Sequence, residues 1–393
     1  MNGKFKDKIR RRGVLYIILV ALVIILSSVL TRMFYYQAIQ YNDLYKSDLP
    51  AHITFATSGR GYSLLYAAIG LIYKLTENVF FIALFESFLV IGTWLLTGKL
   101  LQLLVCSIEY ACACFAALPL TFLTGIYIPF VYEHFYRQQL VTQPYHNITY
   151  YGMRFFAVCV MICLTVMIDR YLENIKWQNF CFLTLFLMLS TAIKPSFLLG
   201  FAAALLFFLI IDFLKYGFER KKFSHIIIMG MSVIPSLIVL IVQAKMLYGK
   251  PIEEGGSGIA LIWGANFVKM GLIPTILKLI CGLSFPCLVL LVNNKKLRKE
   301  EKFVYLMFAI QLLVCIIFSE TGRRARHGNF YWGLYCAAFF LFVFAGAKYW
   351  RDCRELDSSY KWYKIIGFIL FFAHLMSGAV YFVIACSGND VLI

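Results

Sequence analysis

Charge is scarce in this chain. Asp, Glu, Lys and Arg make up 15% of its 393 residues, where a soluble protein carries about 25%. That leaves little room for a soluble domain. Acid is scarcer still, with 20 Asp and Glu against 37 Lys and Arg. The chain contains no Walker loop, GxGxxG, HExxH or GxSxG motif, which argues against a cytoplasmic nucleotide-driven pump. It has no CxxC pair, and its 12 cysteines fall mostly singly within apolar runs. They read as small buried hydrophobes rather than a disulfide or metal framework. No internal repeat and no low-complexity linker is visible, whereas an inverted-repeat transporter more often shows paired halves with interrupted helices.

Apolar residues dominate instead: 61% of the chain is hydrophobic, with a mean hydropathy of +0.77. The runs are continuous rather than alternating, so the expected class is an all-α polytopic membrane protein and not a β-barrel. About eleven spans are expected, at residues 14–34, 79–97, 110–130, 152–168, 179–193, 197–213, 226–247, 271–292, 303–318, 333–347 and 365–386. They form one membrane domain over residues 1–393. The first run is too long for a signal h-region and lacks a small-residue cleavage site, so it reads as a retained span. Residues 35–78 form a first loop, within which Gly61 to Leu75 is apolar but short and reads as an interfacial helix.

The net charge of +17 raises the possibility of nucleic-acid binding. Its distribution argues otherwise. Alternate loops, beginning with the N-terminal segment, hold 23 of the 37 basic residues. This bias places those loops and the N-terminus in the cytoplasm and the C-terminus outside. Membrane lipids with anionic headgroups are the expected partners of this charge, with no nucleic acid.

The unusual polar residues collect in the opposite, outer loops. Asp43, Asp48, His52 and Arg60 lie in the first; His146, Asn147, Tyr150 and Arg154 lie at the end of the second; Lys194 stands alone in the third. Glu320, Arg323, Arg324, Arg326, His327 and Asn329 lie in the fifth. Three arginines within four residues run against the charge bias, and their planar forks suit phosphate oxygens. They could equally pair with outer carboxylates or face lipid phosphates. Lys194 could bind the same phosphate or simply snorkel at a helix end. Asp48 and His52, four apart, would share a helix face, and a carboxylate beside an imidazole can act as a general base on a hydroxyl. An N-cap is the ordinary alternative for Asp48. His146-Asn147-Ile148-Thr149 contains a glycosylation sequon, discounted because it adjoins a span. Asn147, Tyr150 and Arg154 would form one helical stripe, or part of an interfacial aromatic belt. Glu86 lies within a span, where a carboxylate usually faces the bundle interior.

SDLPAHI soon after the first span, GRGYSLLYAAIGLIYKL before the second and ESFLVIGTWLLTGKLL within it resemble the GT-C class of integral-membrane glycosyltransferases. The resemblance is at residue level around 43–104 and architectural elsewhere. It departs from the class in having a lone Asp48, not adjacent acids, and it lacks a WWD-type motif and a large outer domain. The resemblance implies a GT-C-like bundle with juxtamembrane helices in its first outer loop. It also implies a polyprenyl-phosphate-linked sugar donor and a glycan or lipid-linked acceptor. Asp48 would then be the base of an inverting transfer, and the outer cations would hold the phosphate. No cofactor and no metal is expected, because a lone Asp makes a poor divalent site. The expected location is a bacterial cell membrane. A polysaccharide polymerase or ligase, and a non-enzymatic transporter of lipid or saccharide, are the alternatives.

Overall fold

A computed structural model describes residues 3–59, 61–128, 145–249, 256–264, 272–293, 296–325, 328–355 and 360–388. Helix dominates. Among the described residues, eight helical stretches are long and apolar enough to cross a membrane: Arg12–Ile39, Val79–Val105, Ile148–Met167, Ser196–Tyr216, Arg220–Tyr248, Ile273–Val292, Asn329–Glu355 and Lys361–Cys386. The chain is therefore a multi-pass helical membrane protein. In chain order the helices are α1 (Gly3–Ile39), α2 (Leu49–Thr57), α3 (Leu64–Thr76), α4 (Val79–Val105), α5 (Tyr110–Phe122), α6 (Ile148–Met167) and α7 (Trp177–Ile193). They continue with α8 (Ser196–Tyr216), α9 (Arg220–Met231), α10 (Ile234–Tyr248), α11 (Leu272–Asn293), α12 (Lys299–Ile317), α13 (Asn329–Glu355) and α14 (Lys361–Cys386).

Two helices organise the packing. α4 packs against α1, α5 and α6, while α13 packs against α8, α11 and α12, and the two touch each other. The apolar window of α13 is 78% buried against 11% for α1, so α13 is interior and α1 presents its flank to lipid. Small residues permit close approach. A Cβ at Gly200 of α8 or Gly333 of α13 would run into the Gln311 amide of α12, which lies between them.

Polar contacts show which helix ends lie together. At one end, Arg351 pairs with Glu301, and Arg351 and Arg298 both donate to the carbonyl of Leu104, at 2.8 and 3.1 Å. Lys299 and Tyr171 both reach Asp212, at 2.7 and 2.5 Å. These bonds join the C-termini of α4, α8 and α13 to the N-terminus of α12. At the opposite end Ser63 donates to the Ile193 carbonyl, Ser196 to that of Asn329 and Tyr45 to that of Cys386. The described candidate residues belong to this second end, called the Asp48 end below.

The expected third span, 110–130, is not one helix. α5 has Pro119 inside and stops at Phe122, and residues 123–128 continue without helix. Thirteen helical residues and six extended ones each reach about 20 Å, so together they approach the thickness of a bilayer. Unwound backbone is tolerated at such depth only when protein satisfies it. Here Ser377 Oγ accepts from the Tyr127 amide, the Ile126 amide donates to the Cys281 carbonyl, and His374 Nδ1 bonds the Thr124 carbonyl. The expected fifth and ninth spans correspond to α7, of 17 residues, and α12, which opens on Lys299, Glu300, Glu301 and Lys302.

The helical architecture carries one short β addition. Strands β1 (Ser257–Leu261) and β2 (Phe318–Gly322) form an antiparallel ribbon, with Ser257 opposite Gly322 and Leu261 opposite Phe318. Gly322 adopts a left-handed φ of 67° and its Cα lies close to the Gly256 carbonyl, so a Cβ there would collide with that oxygen. The turn that follows aims Arg323 and Arg324. All 12 cysteines are free thiols.

Candidate functional site

A cavity of about 560 Å³ opens at the Asp48 end. Its wall comes from segments far apart in sequence: Asp48 and His52 of α2, Asn147 and Thr149 before and within α6, and Lys194 between α7 and α8. Arg323 and Arg324 after β2, with Asn329 and Trp332 of α13, complete it. The N-termini of α2, α6, α8 and α13 all reach this wall, through Asp48, Asn147, Ser196 and Asn329. The positive ends of four helix dipoles therefore converge where the cationic side chains do, a setting suited to an anion. Phe55, Met246 and Leu247 supply an apolar side, and Tyr62 and Tyr66 an aromatic one.

Asp48 occupies the N-cap position of α2 but makes no side-chain cap bond. Ser47 Oγ accepts from the Leu49 amide instead, at 3.0 Å. The Asp48 carboxylate is therefore free of the structural duty most often given to such a residue. It is exposed and accepts from Asn147 Nδ2 at 3.5 Å. Asn147 caps α6 with its own oxygen, which accepts from the Tyr150 amide at 3.0 Å and from Thr149 Oγ1 at 2.6 Å. The sequon is thus a buried capping motif, with Asn147 4% exposed.

Lys194 ends α7, where Pro195 breaks the chain before α8. Its ammonium donates to Thr149 Oγ1 at 3.0 Å and lies 4.6 Å from the Trp332 ring centroid. Among the described residues it has no carboxylate within ion-pair distance. Burial lowers its pKa from 10.5 to about 7; Asp48 and Glu320 oppose the shift, and Arg324 adds to it. Burial likewise lowers His52 to about 4, against the pull of Asp48, and depresses His146. Both imidazoles are therefore neutral at pH 7. His52 Nδ1 shares a 2.8 Å hydrogen bond with Tyr66 Oη.

Glu320 lies behind the wall, 5% exposed. Its carboxylate accepts from Arg324 Nε at 3.0 Å, Tyr248 Oη at 2.7 Å and Asn329 Nδ2 at 2.6 Å. It therefore braces the wall from behind and does not itself line the cavity. Four further candidate residues do not line the cavity. Asp43 sits in a 3-10 turn with φ 57°, exposed and away from the cavity, because the chain reverses sharply after α1. Tyr150 and Arg154 turn into the bundle, where the guanidinium lies 5.3, 5.0 and 4.8 Å from the rings of Tyr150, Tyr151 and Phe339. His146 packs beside Trp332, at 5.9 Å between centroids, and is not part of the lining. Arg60, Arg326 and His327 lie outside the described residues.

Sequence reasoning overlooked Thr149, Tyr66 and Trp332. A local signal existed for the first alone, because Thr149 sits in the sequon with Asn147. Comparison with known protein families and with characterised proteins gives no match to this chain.

Proposed function

We propose that this chain is a membrane glycosyltransferase of the GT-C kind, moving a sugar from a polyprenyl-phosphate-linked donor to a glycan or lipid-linked acceptor. The observation that carries the reading is the convergence of a free carboxylate, Asp48, with Lys194, Arg323 and Arg324 around one cavity at one end of a membrane bundle. The longer helices that reach the cavity, α6, α7, α8, α10 and α13, run alternately away from and towards it, as in a multi-pass bundle. In this reading the N-terminus is cytoplasmic and the Asp48 end extracytoplasmic.

The chemistry follows from the arrangement. An acceptor hydroxyl attacks the anomeric carbon and passes its proton to Asp48. The bond from that carbon to the phosphate oxygen breaks, and its electron pair leaves with the lipid phosphate. The phosphate gains one negative charge, which Lys194, Arg323, Arg324 and the helix N-termini stabilise in place. Attack opposite the leaving group inverts the anomeric centre. The apolar side at Phe55, Met246 and Leu247 suits the first isoprene units of the donor. The aromatic side suits a sugar face.

The test is reconstitution of the purified chain in liposomes with a panel of polyprenyl-phosphate hexoses and saccharide acceptors. Wild type should release polyprenyl phosphate and form a glycoside of inverted configuration. Movement of lipid or saccharide across the bilayer with no sugar transfer would select the transporter reading instead.

A further inference from the structure

The wall between the carboxylate and the ammonium is a chain of hydrogen bonds that all point the same way. Lys194 Nζ donates to Thr149 Oγ1 at 3.0 Å, Thr149 Oγ1 donates to Asn147 Oδ1 at 2.6 Å, and Asn147 Nδ2 donates to Asp48 Oδ2 at 3.5 Å. Each hydroxyl or amide gives its hydrogen towards the carboxylate and receives one from the side of the ammonium. Chains of this sense polarise one another. Asn147 and Thr149 are both buried, at 4% and 5% exposure, so water has little access to the bond between them.

We infer that Thr149 and Asn147 are positioning residues that couple the base Asp48 to the phosphate-binding cation Lys194. This rests on the reading given under Proposed function. Before transfer, the polarised chain draws the ammonium towards Thr149 and leaves Asp48 Oδ1 free for the acceptor hydroxyl. When Asp48 takes the acceptor proton, the carboxylate loses its charge and the pull along the chain weakens. The ammonium is then released towards the phosphate at the moment the phosphate gains charge. No proton needs to travel along the chain, because the Asn147 amide only relays polarisation.

Several charged groups surround Lys194. Asp48 and His52 face it from α2, His146 from the segment before α6, Glu320 from β2, and Arg324 from the turn after β2. None of them touches Thr149 in the contacts described here, so removing the Thr149 hydroxyl isolates the bridge. Thr149→Val keeps the side-chain shape and the Asn147 cap on Tyr150 but removes the acceptor for Lys194. Lys194 should then hold its proton less well. Thr149→Ser restores the hydroxyl.

The experiment measures binding of farnesyl phosphate to the full chain in nanodiscs across pH, read by the fluorescence of Trp332, whose ring lies under the ammonium. A Trp332→Phe control identifies that signal. Wild type should bind with a midpoint near the Lys194 value of about 7. In Thr149→Val the midpoint should move to lower pH, with binding at pH 7 weakened about tenfold, and Thr149→Ser should restore both. An unchanged midpoint in Thr149→Val, with binding still lost in Lys194→Met, overturns the coupling and leaves the glycosyltransferase reading standing. Binding that is absent in wild type, or equal in Lys194→Met, overturns both. A Thr149→Val chain that unfolds is recognised by its thermal transition, and Thr149→Ser and Asn147→Ser then carry the test. Asn147→Ser keeps a cap but breaks the bridge, and an unshifted midpoint there overturns the coupling.

Discussion

Lys194→Met should make the protein more stable and less able to bind a lipid phosphate. In the folded chain burial holds the ammonium near pH 7, against an ordinary 10.5. Between these two values the unfolded chain binds more protons than the folded one, so stability rises with pH through the window 7 to 10.5. At neutral pH the buried lysine costs the fold on the order of 4 kcal/mol, softened where water reaches the cavity. Methionine has a similar length, fills the space beside Trp332 and removes that cost. Thr149 keeps its bond to Asn147, so no buried hydroxyl is stranded. The expected gain is about 2 kcal/mol at pH 7, shrinking towards zero by pH 10. Lipid-phosphate binding should fall about 10- to 100-fold, the worth of one charge-assisted hydrogen bond. Thermal unfolding in detergent between pH 6.5 and 10, with farnesyl phosphate titrations, measures both. A variant less stable than wild type at every pH would refute the reasoning, and so would a stability difference independent of pH.

Three further outcomes follow from contacts around the cavity and within the bundle. Glu320→Gln removes the charge that Arg324, Tyr248 and Asn329 share; the Arg324 side chain is 19% exposed, so the loss should be about 2 kcal/mol rather than the full cost of a broken buried pair. Thermal unfolding measures it, and Tyr248→Phe should lose about 1 kcal/mol. His374→Leu strands the Thr124 carbonyl, which His374 Nδ1 meets at 2.8 Å, and should cost about 1–3 kcal/mol. The same transition checks this, and an unchanged melting temperature would mean that the unwound segment does not depend on that bond.

How far the sequence could be read depends on the range of the interaction involved. Long apolar runs and their charged flanks act locally, so the stretches that became α1, α4, α6, α8 and α14 were legible. So was the short apolar α3, whose start the structure shows capped by Ser63. Unwinding after Phe122 was not, because Pro119 and Gly125 permit it but His374 and Ser377, about 250 residues away, satisfy it. The ribbon has the same character, since β1 pairs with a strand roughly 60 residues later. At the cavity, arginines that run against the charge bias pointed to Arg323 and Arg324, an isolated cation to Lys194, and the spacing to His52 with the GT-C resemblance to Asp48; all four line one cavity. Charge alone could not separate Asp48 from Asp43, as the left-handed turn at residues 42 and 43 decides which carboxylate faces inward. Nor could it place Glu320 behind the wall. Trp332 and Thr149 carry no charge and sit in ordinary aromatic and sequon contexts, so only their three-dimensional partner, Lys194, marks them.

The central claim concerns Asp48. Asp48→Asn keeps the shape of the side chain and cannot accept the acceptor's proton. The decisive measurement is a single-turnover transfer assay with the wild-type and Asp48→Asn chains in liposomes, alongside farnesyl phosphate binding to both. The account expects transfer to fall by about 10²–10⁴-fold, while the midpoint of lipid-phosphate binding moves to lower pH because Lys194 loses the support of the Asp48 charge, and binding well below that midpoint stays within a few-fold of wild type. Transfer at the wild-type rate by Asp48→Asn would contradict it.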